Sequence, residues 1–239
     1  MEIKTNAIVL KSIDYKESDK ILTLYSLEYG KIVAGIKGVK KAGAKLKFAQ
    51  EPFCFAEFIL NEKGGRNTVI GATFIDNFYN LRLNIEKYYL SGVISDILLN
   101  LTEDGLKDAN LFSLSINAIK NICYKDNEKR ALANYLKDVI EILGYNLQNP
   151  LCANCGCQIK GRVFFDFKNA TFYCEDCRVE SAREIKTQTY NAFFKLFYQK
   201  ENANLEKDEV EKLLKFLIYY LEYKTDVKLK SCEALMKIL

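Results

Sequence analysis

Two closely spaced cysteine pairs constrain the fold of this chain more than any other feature. Eight cysteines occur in 239 residues, and five of them lie between positions 152 and 177. Cys152 and Cys155 form one C-x2-C pair, Cys174 and Cys177 form the other, and 18 residues separate the two pairs. This spacing is typical of a four-cysteine zinc site, in which each pair presents two thiolates from a tight turn. Buried free thiols would not explain the doubled spacing, although Cys157 competes with Cys155 as a ligand.

Four thiolates leave no open coordination position, so the sequence predicts one structural Zn²⁺ and no catalytic metal. The chain has no histidine, which excludes Ser-His-Asp and Cys-His nucleophiles and imidazole bases. It also has no phosphate-binding glycine loop and no carboxylate cluster suited to Mg²⁺. We therefore expect a protein that is not an enzyme. Without a long apolar stretch or a signal peptide, we expect it in the cytoplasm.

The patterning changes from strand-like to helix-like near residue 78. Short segments rich in β-branched and aromatic residues predict five strands, at Met1–Leu10, Lys20–Tyr25, Lys31–Ile36, Phe53–Leu60 and Thr68–Phe74. Five strands in about 75 residues fit an OB-fold barrel. From Asn84 onwards, apolar residues recur at i, i+3, i+4 and i+7, before and after the cysteines, which predicts amphipathic helices.

The predicted fold class is therefore α+β and multidomain. It consists of an N-terminal five-stranded OB-fold barrel and an α-helical domain with an inserted four-cysteine zinc module. The expected divisions are residues 1–78 for an OB-fold domain, 79–149 for a helical domain, 150–180 for the zinc-binding module and 181–239 for C-terminal helices that complete the helical domain.

Positive charge is concentrated in one part of the predicted barrel. Between Glu28 and Glu51 there are six lysines and no acidic residue, although the whole chain has a net charge of only +4. OB-folds bind single-stranded nucleic acid across the sheet and between their first and fourth loops, here near Lys11–Asp19 and Asn61–Asn67. The predicted DNA contacts are Lys11, Lys16, Lys31, Lys37, Lys40, Lys41, Lys45, Lys47 and Arg66. The alternative is a solvated lysine-rich loop.

Several stretches together resemble the bacterial RecO family of recombination mediators. They are the segment Lys16–Lys31 (KESDKILTLYSLEYGK), the segment Ile36–Lys41 (IKGVKK), and Leu143–Tyr145 followed by the two cysteine pairs. The resemblance implies a bacterial, nucleoid-associated protein that binds single- and double-stranded DNA and anneals complementary strands. It also implies partnership with RecR and with the acidic C-terminal tail of single-strand-binding protein, and indirectly the loading of RecA. The chain departs from the family at Asn169-Ala170, where members often carry Gly-Gly.

If the barrel binds DNA, we expect the acidic tail to bind the helical domain. One candidate is the helix predicted near Glu128–Leu143, where cations flank an apolar stripe; the residues are Lys129, Arg130, Leu132, Leu136 and Lys137. The alternative is a stripe that faces the core with solvated charges beside it. A zinc-ribbon RNA-binding or transcription-associated adaptor with an OB-fold remains the alternative function.

Overall fold

The first third of the chain forms a closed five-stranded barrel. The computed structural model describes residues 1–145, 147, 149–198 and 205–238. The barrel strands are ordered β1-β2-β3-β5-β4, with β3 and β5 parallel and the other pairs antiparallel. They are β1 (Glu2–Tyr15), β2 (Asp19–Ser26), β3 (Gly30–Ile36), β4 (Phe55–Lys63) and β5 (Arg66–Asp76), with a short 3-10 turn at Lys47–Gln50 before β4. The predicted five-stranded barrel is thereby confirmed.

Alternate residues of each strand fill the barrel, as the period of two in a strand requires. Fully buried members include Val9, Leu24, Ile36, Phe58 and Leu60.

The first strand is longer than predicted. It runs to Tyr15. A bulge between Val9 and Lys11 shifts its register, and beyond the bulge the strand continues to pair with β2. The bulge interrupts the period-two pattern, and the residues beyond it are largely polar, so the sequence indicated a loop there. The connection to β2 is therefore only Lys16–Ser18, in which Lys16 has a φ of 56°.

Three helices follow the barrel: α1 (Asn80–Leu83), α2 (Ile85–Asn100) and α3 (Ala109–Tyr124). The side chains of Asn84 and Asp108 cap α2 and α3 by accepting hydrogen bonds from backbone N–H groups of their first turns. The sequence did not single out α3, because serines interrupt its apolar stripe. The barrel and these helices together form one compact unit, residues 1–126.

The second unit, residues 127–239, combines helices with a small antiparallel sheet. Its helices are α4 (Glu128–Ile142), α5 (Thr187–Tyr198), α6 (Lys207–Thr225) and α7 (Lys230–Leu235). Its sheet has the order β7-β6-β8 and consists of β6 (Val163–Asp166), β7 (Thr171–Cys174) and β8 (Arg183–Ile185). Phe165 of β6 packs against Phe172 of β7 and against Phe216 and Tyr220 of α6, so aromatic rings join the sheet to the helices. These three strands were not predicted.

The fold class is confirmed as a barrel followed by a helical domain that carries four clustered cysteines. The division into four segments, with boundaries at residues 78, 149 and 180, stays a prediction.

Candidate nucleic-acid interface and metal centre

A groove of about 540 Å³ lies beside the hairpin that joins β4 to β5. Three cations line it, Lys37 from the end of β3 and Lys63 and Arg66 from the hairpin, together with Asn61, Thr68, Val69 and Ile70. No carboxylate is among these lining residues, all of which lie in the described part of the chain. The groove is therefore suited to an anion.

The tip of this hairpin is formed by two glycines. Gly64 and Gly65 have φ values of 60° and 73°, the left-handed conformation that a two-residue turn between twisted strands requires. The turn places Lys63 and Arg66 as a cross-strand pair at the hairpin end. The two cationic side chains are neighbours because their residues lie directly opposite each other on the paired strands.

An outward-facing row of residues leads from the first strand to the groove. Ile13 pairs with Ile21, Ile21 with Gly35, and Gly35 with Thr68, which itself lines the groove. Gly35 leaves the middle of the row open, because no atom lies within 4 Å of the place where a Cβ would stand. Ile13 and Ile21 of this row can contact a base, and the cationic groove beside the row can hold the phosphate of the same nucleotide.

Tyr15 is the aromatic residue nearest to this row in sequence. Its side chain lies at the end of β1, is 48% exposed, and has the Lys16 ammonium 5.3 Å from its ring centroid. An exposed ring with an adjacent cation is a suitable platform for stacking a nucleobase.

The lysine-rich loop after β3 is fixed against the turn between β1 and β2. Gly38 donates its N–H to the Asp19 carboxylate at 2.8 Å, and this hydrogen bond lowers the pKa of Asp19. The Lys40 ammonium donates to Asp14 at 2.9 Å and lowers the pKa of that carboxyl. The loop therefore has a defined position, and it directs Lys37 towards the groove.

Eight of the nine predicted DNA contacts are exposed: Lys11, Lys16, Lys37, Lys40, Lys41, Lys45, Lys47 and Arg66. Only Lys37 and Arg66 of this set line the groove. Lys47 begins the 3-10 turn, and Lys45 lies two residues before it. Lys63 was not among the predicted contacts, although it lies in the same predicted fourth loop as Arg66.

Lys31 has a different environment from the other eight. Its side chain is only 13% exposed, and its ammonium donates to the carbonyl oxygens of Leu99 at 2.8 Å and Thr102 at 2.7 Å. These carbonyls belong to the C-terminal end of α2, where a cation also complements the helix dipole. Lys31 therefore joins the barrel to α2, and its charge is satisfied within the protein.

The two leucines of the predicted partner site on α4 lie in the core. Leu132 and Leu136 are 0% exposed, and α4 packs against α6. Lys129 forms an ion pair with Glu211 of α6, and Lys137 pairs with Asp138 at 3.3 Å. A peptide could reach these two leucines only if α4 and α6 separated. The burial of the leucines agrees with the alternative that this apolar stripe faces the core.

The second candidate site is formed by Cys152, Cys155, Cys174 and Cys177, whose sulfur atoms all lie within 4.8 Å of one another. The Sγ atoms of Cys155 and Cys174 are 3.9 Å apart. A tetrahedral four-thiolate zinc site with bonds of about 2.3 Å requires S–S distances of about 3.8 Å. The four residues therefore fit one metal ion.

Backbone hydrogen bonds hold the first cysteine pair in a tight turn. Gly156 donates its N–H to the Cys152 carbonyl at 2.9 Å, and Ala153 donates to the Phe172 carbonyl of β7 at 2.8 Å. Burial raises the pKa of Cys152, but N–H groups directed at its sulfur, including those of Cys155 and Cys174, outweigh this effect and lower the pKa to about 6. Such N–H groups stabilise the thiolate that a metal requires.

In the described part of the chain, no helix combines the length and the apolar character needed to cross a membrane.

Comparison with known proteins places this chain in a family. Residues 1–78 match the family model described as recombination protein O N terminal, and residues 82–233 match recombination protein O C terminal. The DNA repair protein RecO of Desulforamulus reducens is 30% identical over 237 residues, which cover 96% of this chain and 92% of the relative. The DNA repair protein RecO of Shouchella clausii is 28% identical over 95% of this chain and 91% of the relative. The chain belongs to the RecO family of DNA repair proteins.

Proposed function

We propose that this protein is a recombination mediator that binds single- and double-stranded DNA through its barrel and makes or breaks no covalent bond. The observation that carries the proposal is the groove lined by Lys37, Lys63 and Arg66, which continues into the outward-facing row from Thr68 to Ile13. Cations in the groove neutralise phosphates, and the apolar row contacts bases without reading their identity.

Annealing follows from the same surface. Two complementary strands repel each other because each carries one negative charge per nucleotide, and bound lysines and arginines reduce that repulsion. Holding both strands on one protein also raises their local concentration. Membership of the family supports the further proposal that the protein acts with RecR and the acidic tail of single-strand-binding protein to load RecA.

We propose Zn²⁺ as the ion of the cysteine site. Four thiolates at tetrahedral separations favour Zn²⁺, and such a site has a structural role because no coordination position remains for a substrate. The ion would hold the turn at Cys152 and Cys155 to the end of β7.

The DNA proposal is tested by removing the three groove cations. A Lys37→Ala/Lys63→Ala/Arg66→Ala variant should bind single-stranded oligonucleotides of any sequence more weakly than the wild type. The slope of log K against log salt should flatten by about 2, because each lost phosphate contact on a single strand contributes about 0.7. Fluorescence anisotropy across a salt series measures both quantities.

The matched control removes the same charge elsewhere in residues 1–126. Lys107, Lys120 and Lys125 are exposed and lie outside the barrel, so a triple alanine variant at these positions should keep the wild-type slope. Equal slopes for the groove variant and this control would show that the DNA site lies outside the groove. Stronger binding of a matched RNA oligonucleotide would favour the RNA-binding adaptor, since only contacts to the 2′-OH can produce that preference.

A further inference from the structure

We propose that Cys155 and Cys157 form a peroxide-sensitive pair, in which a disulfide between them withdraws Cys155 from the metal site and releases the ion. This inference concerns the cysteine site alone and does not depend on DNA binding. It assigns a role to Cys157, which is not one of the four clustered ligands.

The two sulfurs are already close. The Sγ atoms of Cys155 and Cys157 are 3.3 Å apart, a shorter distance than the 3.9 Å between Cys155 and its fellow ligand Cys174. A disulfide has an S–S distance of about 2.05 Å, so the sulfurs need to approach by only about 1.3 Å. Both side chains are exposed, so a small oxidant can reach them and packed neighbours do not prevent their rotation.

The backbone holds the pair in this arrangement. Gly156 lies between the two cysteines with a φ of 70°, a left-handed conformation that turns the chain back on itself. The carbonyl of Cys157 accepts a hydrogen bond from the N–H of Cys152 at 2.9 Å. The turn that presents Cys155 to the metal therefore also fixes Cys157 beside it.

The reaction needs one peroxide molecule for each disulfide. One sulfur of the pair attacks hydrogen peroxide and becomes a sulfenic acid, with release of one water. The second sulfur displaces the hydroxyl as another water, and the S–S bond forms. Two electrons pass from the sulfurs to the peroxide oxygens, and solvent supplies the proton that the Cys155 thiolate lacks. Three thiolates then remain at the site, and the affinity for the metal falls.

Zinc release during peroxide treatment tests the proposal. Zinc-loaded wild-type protein should release its ion to a chromogenic chelator, and thiol reductant with added Zn²⁺ should restore it. Cys157→Ser should release zinc on the order of tenfold more slowly, because a sulfenic acid at Cys155 then lacks an adjacent thiol. Gln158→Ser, at the next exposed position, should behave as the wild type.

Differential alkylation followed by mass spectrometry identifies the bond. Cys155 and Cys157 should be protected from alkylation after peroxide treatment, whereas Cys152, Cys174 and Cys177 should react once zinc has left. Equal release rates in wild type and Cys157→Ser, or a disulfide that joins other cysteines, would overturn the proposal. Loss of zinc from Cys157→Ser under reducing conditions would also overturn it, since Cys157 would then be a ligand.

Discussion

At the scale of single residues, Gly30 leaves almost no room for a side chain. It begins β3 with a φ of 62°, and a Cβ there would stand 2.1 Å from the carbonyl oxygen of Leu106. Backbone atoms cannot move aside as the end of a flexible side chain can. We expect Gly30→Ala to lower the free energy of unfolding by about 3 kcal/mol or more, the sum of left-handed strain and a forced backbone shift.

Gly43→Ala separates these two causes. Gly43 also has a positive φ, 74°, but nothing lies within 4 Å of its potential Cβ. This control should therefore lose only about 1 kcal/mol from the conformational preference. Chemical denaturation of both variants gives the comparison, and similar losses at the two positions would show that the approach to Leu106 is not a constraint.

Single residues also show what sequence could and could not predict about the sites. The clustering of the four cysteines was predictable because their spacing is local and the chemistry of a four-thiolate site is narrow. Lys31 and Lys37 belong to the same basic run, yet one binds the end of α2 and the other lines the groove. A run of charge does not indicate which carbonyls or carboxylates the fold brings to each residue.

At the scale of elements, an ion at the cysteine site would join segments that the sheet alone does not hold together. The sheet has support that does not involve the cysteines, because Phe165 and Phe172 pack against each other. Phe165 also packs against a ring of α6, and Phe172 packs against a ring of α5. The turn at residues 152–157 is held by backbone hydrogen bonds, by the isolated bridge to Phe172 and by the Asn154 side chain, which donates to the Cys177 sulfur at 3.4 Å. Metal loss should therefore loosen the turns more than the strands.

Cys174→Ser tests this difference. A structural zinc site contributes about 10 to 16 kcal/mol over four ligands, so one lost thiolate should reduce zinc affinity on the order of a hundredfold. Amide hydrogen exchange should become faster at residues 150–160 and 174–178, while the amides of β6 keep their protection. Exchange that accelerates equally throughout β6 would show that the metal supports the whole sheet. Cys157→Ser in reducing buffer is the control that should keep both zinc and protection.

Elements differed in how far sequence patterns could predict them. Long helices with uninterrupted apolar stripes, such as α2, were predicted because period and length agree. The strands β6, β7 and β8 have only 4, 4 and 3 residues, which is too short for any period to be recognised. The bulge in β1 reversed the alternation partway along the strand.

At the scale of the whole molecule, the barrel depends on the helices that follow it in the first compact unit. Phe112 of α3 stacks on Tyr25 of the barrel and contacts Phe55. Gly105 donates its N–H to the Lys31 carbonyl at 3.0 Å, and the Lys31 ammonium caps α2. Sequence periodicity shows that one face of a helix is buried, but not which surface buries it, so this dependence was not predictable.

A fragment of residues 1–126 should therefore fold and bind single-stranded DNA, whereas a fragment of residues 1–78 should be unstable. Removing residues 79–126 exposes Tyr25, which is 1% exposed in the full chain, and leaves the Lys31 ammonium without its carbonyl partners. Thermal unfolding of the longer fragment should show one cooperative transition, and its DNA affinity should lie within about threefold of the full chain, a difference below about 1 kcal/mol. Equal stability of the two fragments would contradict the dependence of the barrel on α2 and α3. A folded 1–126 fragment that failed to bind DNA would instead place part of the DNA surface in residues 127–239.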